Sequence, residues 1–360
     1  MKSAKRSAKN NFPFSHLSFG LSLADTHSQN PRNSLLFLWL CSIGSTKSNP
    51  NLSANSVKLF VAEPLDLKMR DHILDKPSLY QQTLKAVQTL PACVCYGFAR
   101  LIAALAFVFS RRDRRHVLHN LDIILNGCQP PASRRRLLWR FFQNYGIYMV
   151  DFFRLLGMTL EESKAFTQLY EGRQHLDEAL AKRRGVVLLT AHLGHWEIGG
   201  LGLRAMGYPV NVVAIKHNTG FTNTLVNRLR RRHGIRVIEV KESMYGTIEL
   251  VKALRHNEIV AVLGDRVFSD RSETTTLFNR QVRLPVGPLV LAMASRAPVV
   301  PAFSIMEAPG RYHGIIEPAL DLRYGPDRQQ ALHHNLRQVA AIFERYIRRY
   351  PDQWYHVEPL

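Results

Sequence analysis

From residue 185 onward, short runs of β-branched and other apolar residues recur with helix-length segments between them: "GVVLLTA" (185–191), "VNVVAI" (210–215), "IRVIEV" (235–240) and "EIVAVLG" (258–264). A strand with one solvated face alternates apolar and polar residues. A strand covered on both faces is apolar throughout, the habit of parallel sheets sandwiched between helices. The pattern therefore predicts an α/β fold with a mainly parallel sheet flanked by helices. Two more strands are expected at "APVVPAFSI" (297–305) and "YHGIIEP" (312–318). The chain closes with an amphipathic helix whose Leu336, Val339, Ala340, Phe343 and Ile347 form one stripe, ended by Pro351.

The N-terminal part has a different character. Residues 1–68 are rich in Ser, Asn and Lys without sustained periodicity, and are expected to be disordered or a misassigned extension upstream of Met69. The apolar run Leu35–Cys41 within them is too short to cross a bilayer. Residues 84–156 are expected to form a membrane-associated helical region, followed by the α/β domain over 157–360. "LPACVCYGFARLIAALAFVF" (90–109) has the length of a membrane-crossing helix, though Pro91, Gly97 and Arg100 interrupt it. Arg111, Arg112, Arg114 and Arg115 follow at once, a cluster that favours anionic head groups on the cytoplasmic side. A spanning anchor, an interfacial helix and a buried helix all fit this stretch. Residues 134–156 read as a core helix, as a wall for an acyl chain or as a surface touching lipid.

The 48 Lys and Arg against 28 Asp and Glu leave a net charge of +20, which attracts phosphate, anionic lipid or an acidic protein. No nucleic-acid-binding signature accompanies that charge, so a nucleic-acid partner is not expected. The four cysteines, Cys41, Cys93, Cys95 and Cys128, all precede residue 157 and form no CxxC pair. Neither a disulfide framework nor a cysteine-rich zinc site is expected in the α/β region.

The stretch "LLTAHLGHWEIGG" (188–200) places two histidines and a glutamate just past the end of a strand. Carboxyl ends of strands are where parallel sheets collect ligands and reactive groups. On one helix, His192 and Glu197 would lie roughly 140° apart around the axis. They can meet only if His192 sits in the turn before the helix, a turn that Gly194 makes cheap. The carboxylate then holds one imidazole nitrogen and leaves the other to take a proton. No Ser or Cys stands within the motif and no GxSxG occurs, so the attacking group would be the substrate's own hydroxyl. A zinc-dependent hydrolase using His192 and His195 is one alternative, and a polar turn satisfied by backbone groups is another. His195 and Trp196 read individually as structural.

"AHLGHWE" (191–197), "GDR" (264–266), "LFNRQVRLPVGPLVLA" (277–292) and "APVVPAF" (297–303) together resemble the bacterial lipid A biosynthesis acyltransferase family, in that family's motif order, over about residues 84–357. The resemblance implies a glycerolphosphate acyltransferase-like fold. It also implies transfer of a fatty acyl group from an acyl carrier protein or coenzyme A thioester to a hydroxyl of a lipid A precursor or related lipid. His192 matches the family's base and Glu197 its acidic partner. An arginine of the helix after the second strand carries over to Arg230, with Arg232 next, and Asp265 matches the family's aspartate after a later strand; these three are expected to bind substrate. Arg266 beside Asp265 is a candidate for a substrate phosphate. No metal and no cofactor are implied. The expected partners are acyl carrier protein and anionic membrane lipid, at the cytoplasmic side of a bacterial inner membrane. The chain departs from the family in having His195 where Asn is common, and in ending at "WYHVEPL" rather than in a basic aromatic tail. A basic peripheral membrane protein without catalysis is the non-enzyme alternative.

Overall fold

β2 (Val186–Thr190) owes its unbroken apolar sequence to its place inside a seven-stranded sheet, where parallel neighbours flank it on both sides. In the computed structural model, which describes residues 77–215, 221–240, 244–267 and 271–360, the strand order is β1-β9-β8-β2-β5-β3-β4. The strands are β1 (Thr167–Glu171), β2, β3 (Val210–Ile215), β4 (Arg236–Val240), β5 (Ile259–Leu263), β8 (Val299–Ala308) and β9 (Arg311–Ile316). β8, β2, β5, β3 and β4 run parallel, β9 returns antiparallel to β8, and β1 lies parallel to β9. The extension expected over residues 1–68 lies outside the described residues.

All six strands expected from the sequence are present. The additions are β1 and a separate hairpin of β6 (Ser272–Leu277) and β7 (Arg280–Pro285). Both escape an apolar-run criterion for a physical reason. β1, "TQLYE", is an edge strand with one neighbour, and β6, "SETTTL", belongs to a ribbon outside the main sheet. The hairpin turns at Phe278 and Asn279, with φ of +53° and +60°. Two left-handed residues make the tight turn that suits strand twist, here without the usual Gly.

Alternate residues of the central strands feed two cores. Leu188, Val210, Ile259 and Val300 pack with α4 (Pro131–Gly157), α6 (Trp196–Ala205) and α7 (Phe221–Arg232) through Phe141, Phe142, Ile198, Leu201 and Leu229. Val187, Leu189, Val260 and Val299 face the other way. They meet α8 (Met244–Arg255), α9 (Gly287–Ser295) and α10 (Arg328–Arg349) through Leu250, Leu254, Leu289, Leu336 and Phe343. A further helix, α5 (Arg173–Ala181), adds the fully buried Leu176 to the first core. The sheet is thus covered on both faces.

Before the sheet come α1 (Pro77–Thr89), α2 (Ala92–Phe109), α3 (Arg111–Ile124) and α4. α2 is neither a buried core helix nor wholly free. Its Cys95, Ala99 and Ala103 are buried. Gly146 of α4 lets the helices approach, since a Cβ there would lie 3.0 Å from the Ala99 carbonyl and 3.3 Å from the Ala103 Cβ. Its other side exposes Val94, Phe98, Leu101, Ile102, Val108 and Phe109. α4 is a core helix, as its buried Leu138, Phe141, Phe142, Phe152 and Leu155 show. Its Asp151 is fully buried and accepts hydrogen bonds from Tyr96 Oη (2.5 Å), Tyr312 Oη (2.7 Å) and Gly310 N–H (3.2 Å). One carboxyl group thereby ties α2, α4 and the β8–β9 turn, and its burial raises its pKa.

Gly146→Leu should force α2 off α4, costing about 1–3 kcal/mol by overpacking. Thermal unfolding of the full chain should show a lowered midpoint, and an unchanged midpoint would mean that α2 is not packed there.

Candidate active site

The site is built on the loop that leaves β2. Thr190 is paired with Leu263 of β5, so the two strands end side by side. The side chains two residues further on are His192 and Asp265. They meet: His192 Nδ1 lies 2.7 Å from Asp265 Oδ1, and the His192 backbone N–H donates to Oδ2 at 3.0 Å. A third donor, the indole Nε1–H of Trp354, reaches Oδ2 at 2.9 Å. All three residues are nearly inaccessible to solvent.

Electrostatics fix the proton positions. Burial alone would raise the Asp265 pKa, but His192, Arg266 and the hydrogen bonds from His192 and Trp354 outweigh it and hold the carboxyl well below its ordinary value. An ionised carboxylate only accepts, so Nδ1 of the neutral imidazole carries the hydrogen and Nε2 is the basic nitrogen. Burial lowers the His192 pKa, and the Asp265 charge opposes this in part. The imidazole is therefore neutral at neutral pH.

This arrangement corrects the expected pairing. The carboxylate on the imidazole Nδ1 is Asp265, not Glu197. Glu197 sits in the first turn of α6 and is gripped through both oxygens by Arg230, with Nε at 3.0 Å from Oε2 and Nη2 at 2.5 Å from Oε1. Both partners are buried, Arg230 at 9% and Glu197 at 6% exposure. A fork-on-carboxylate geometry is the form in which a buried ion pair offsets its desolvation.

The turn itself is held by backbone contacts. Gly194 has φ +62°, and a Cβ there would collide with the Ser304 carbonyl oxygen, so no other residue fits. Gly194 N–H donates to Gln353 O and His195 N–H to Ser304 O. His195 is the N-cap of α6: its Nδ1 accepts from the Ile198 N–H at 3.4 Å. Burial lowers its pKa to about 3, which keeps that nitrogen an acceptor. Asn is among the best N-cap residues. The exchange of Asn for His195 seen against the resembling family thus preserves a capping acceptor.

Next to the Glu197–Arg230 pair lies an apolar cavity between α6 and the sheet. Leu188, Val212, Ala261 and Ala302 form its sheet side, and Trp196, Gly199, Gly200 and Leu203 its helix side. Glu197 and Arg230 supply its charged lining. The two glycines lie on the same helical stripe as Trp196 and Leu203, so the absence of side chains there leaves the space. An alkyl chain suits such a lining. No α4 residue lines it.

Two expected substrate-binding residues have protein partners: Arg232 lies away from the His192–Asp265 pair, and Arg266 lies beside it. Arg232 is exposed, and its Nη1 donates to the Leu156 carbonyl at 3.0 Å, bracing α7 on the end of α4. Arg266 turns back to donate to the Tyr355 carbonyl. Sequence reasoning missed the C-terminal segment altogether. Leu193 bridges to Trp354, and Tyr355 N–H donates to the His192 carbonyl at 3.0 Å. Its "QWYH" carries no recognisable spacing to the motif 160 residues earlier. Among the described residues, no group of three or more His, Cys, Asp or Glu is arranged to hold a metal ion.

Arg230→Met should leave the Glu197 carboxylate buried and uncompensated, a loss of about 3–5 kcal/mol. Chemical denaturation should show it, and Arg230→Met/Glu197→Gln should recover a large part of the loss. No recovery in the double variant would mean that the pair is not coupled.

The sequence model of the bacterial lipid A biosynthesis acyltransferase family matches residues 67–360. Phosphatidylinositol mannoside acyltransferase of Mycobacterium tuberculosis (strain CDC 1551) is 28% identical over 250 residues, covering 67% of this chain and 74% of that protein. A lipid A biosynthesis acyltransferase of Haemophilus influenzae is 23% identical over 185 residues, covering 51% of this chain and 55% of that protein. The crystal structure of the 1-acyl-sn-glycerophosphate acyltransferase of Thermotoga maritima overlays with a TM-score of 0.31 at 13% identity, covering 69% of this chain and 97% of that one. With the family's motif order running through the loop after β2, the segment after β5 and the end of the sheet, and the family match spanning residues 67–360, the chain belongs to the bacterial lipid A biosynthesis acyltransferase family.

Proposed function

We propose that this protein is a membrane-associated O-acyltransferase that moves a fatty acyl group from a thioester to a hydroxyl of a glycolipid or phospholipid. The observation that carries this reading is the His192–Asp265 pair, whose imidazole packs at 4.9 Å on Trp196, a residue that lines the apolar cavity. His192 Nε2 takes the proton of the acceptor hydroxyl as its oxygen attacks the thioester carbonyl. The tetrahedral intermediate then expels the thiolate, which recovers the proton from the imidazolium. Asp265 holds the tautomer and stabilises the imidazolium. Glu197 adds to that stabilisation through space, and Arg230 keeps its carboxylate in place.

The acyl chain lies in the cavity under α6. The donor is acyl carrier protein or coenzyme A charged with a fatty acid; the chain's +20 charge suits the former, an acidic partner. The acceptor is a lipid A precursor or a related glycolipid, the class of substrate named for the relatives above. No metal or cofactor takes part. Arg266 braces the C-terminal segment, and neither it nor Arg232 is assigned to substrate.

Membrane association rests on α2. Its exposed Phe98, Leu101, Ile102, Val108 and Phe109 form an apolar face, and the exposed Arg100, Arg111, Arg112 and Arg115 stand in or beside it. α4 occupies the opposite face of α2. A helix with one face on protein and the other apolar and flanked by arginine is suited to lie in the head-group region of an anionic leaflet. We place it on the cytoplasmic side of the inner membrane, where acyl thioesters are available.

Lipid mass spectrometry of cells expressing wild type or His192→Ala at equal levels tests the reading. A lipid gaining one acyl mass with wild type only is expected, and transfer retained by His192→Ala would overturn it. With purified protein, Asp265→Asn should lower turnover about 100- to 10,000-fold by losing the carboxylate that fixes the base. The base works when neutral, and burial lowers its pKa, so activity is lost as pH falls through a value below that of ordinary histidine. An acid limb above that value would contradict the assignment.

A further inference from the structure

We infer that Trp354 is a positioning residue of the active site: its indole N–H fixes the Asp265 carboxylate so that Oδ1 faces the His192 Nδ1, which makes the C-terminal segment a working part of the acyl-transfer machinery. The inference rests on the reading of His192 as the base.

The observations lie on three levels. At the carboxylate, Oδ1 takes the imidazole while Oδ2 takes two N–H donors, the His192 backbone and Trp354 Nε1. Without the indole, the His192 backbone N–H still keeps Oδ1 on Nδ1, but Oδ2 loses its second donor and the pair is aimed less firmly. At the indole, the ring is clamped in turn. His356 stacks on it at 4.7 Å with planes 9° apart, and Phe278 from the turn of the β6–β7 hairpin packs at 6.1 Å. Trp354 is 3% exposed.

At the level of the segment, residues 352–360 are strapped to β8, α3 and α4. Gln353 pairs both ways with the backbone of Met306 in β8, at 2.8 and 2.9 Å. Asp352 accepts from Asn144 and Arg140 of α4. Asn120 of α3 donates to the carbonyls of His356 and Glu358 and accepts from Leu360 N–H. What the straps hold in place is the indole donor.

The consequence for His192 has a definite sign. Asp265 and Arg266 face it from the segment after β5, Glu197 from α6 and His356 from the strap. Removing the Trp354 N–H from Oδ2 leaves the carboxylate with less of its charge dispersed, so it holds an imidazolium more tightly and the His192 pKa rises. The acid limb of activity then moves to higher pH. A purely structural role would lower stability without moving that limb.

The test is a pH titration of His192 in the full-length chain labelled with ¹⁵N-histidine, the resonance being assigned by its loss in His192→Ala. Two replacements remove the donor: Trp354→Phe, and the benzothienyl analogue of tryptophan at the same position, which keeps the bicyclic shape but has sulfur for the N–H. Phe278→Leu is the packing control, since it loosens the indole and keeps its donor. We expect both donor-less variants to raise the His192 pKa by about half a unit or more, while Phe278→Leu titrates as wild type. Turnover should fall about five- to tenfold in the benzothienyl protein. A His192 titration in the benzothienyl protein that superimposes on wild type would overturn the inference. Acyl transfer by His192→Ala would instead overturn the base assignment.

Discussion

Thr190 of β2 lies opposite Leu263 of β5, and from that pairing the two chains leave the sheet together, so that His192 and Asp265 meet two residues later. The rest of the site depends on this meeting. It sets the imidazole tautomer and aims the basic nitrogen. It also leaves Glu197 for another task, the buried pair with Arg230 beside the cavity. A slip of one residue between β2 and β5 would turn alternate side chains to the wrong core and separate the pair, because strand side chains alternate. The Val/Leu/Ile-rich strands that face both cores therefore also protect the geometry of the site.

The surroundings of that pair are built from structural residues that touch it indirectly. Gly194 gives the loop a left-handed turn under the Ser304 carbonyl, and His195 caps the helix that carries Glu197. Gly199 and Gly200 leave the apolar space between that helix and the sheet. On the other side, Tyr96, Asp151 and Tyr312 join the apolar helix α2 to the sheet through one buried carboxyl group. The face of α2 proposed for the membrane is thereby held in fixed relation to the loop that carries His192.

Much of this was legible in the sequence. The unbroken apolar runs announced a sheet buried on both faces, because no solvated strand tolerates them. The position of His192 past the end of such a run, with Gly194 after it, placed it in a turn at the carboxyl edge. Five residues of separation meant that His192 and Glu197 could not face each other on one helix; in the structure His192 lies in the turn before α6, which begins at Trp196. β1 and the β6–β7 hairpin were not legible, since an edge strand and a ribbon beside the sheet need no apolar run.

The local chain thus determined the strands, the turn, the cap and the identity of the residues that could react. Local rules reach only a few residues, since helix and strand periodicities fade with distance along the chain. Which carboxylate the imidazole meets is a matter of strand register, and it selected Asp265, 73 residues away, over Glu197 in the same motif. The same holds for Trp354, brought to Oδ2 from 89 residues beyond Asp265 by the return of the chain along the sheet. Packing alone decides such meetings, because the partners share no sequence neighbourhood and meet only when the whole core has closed.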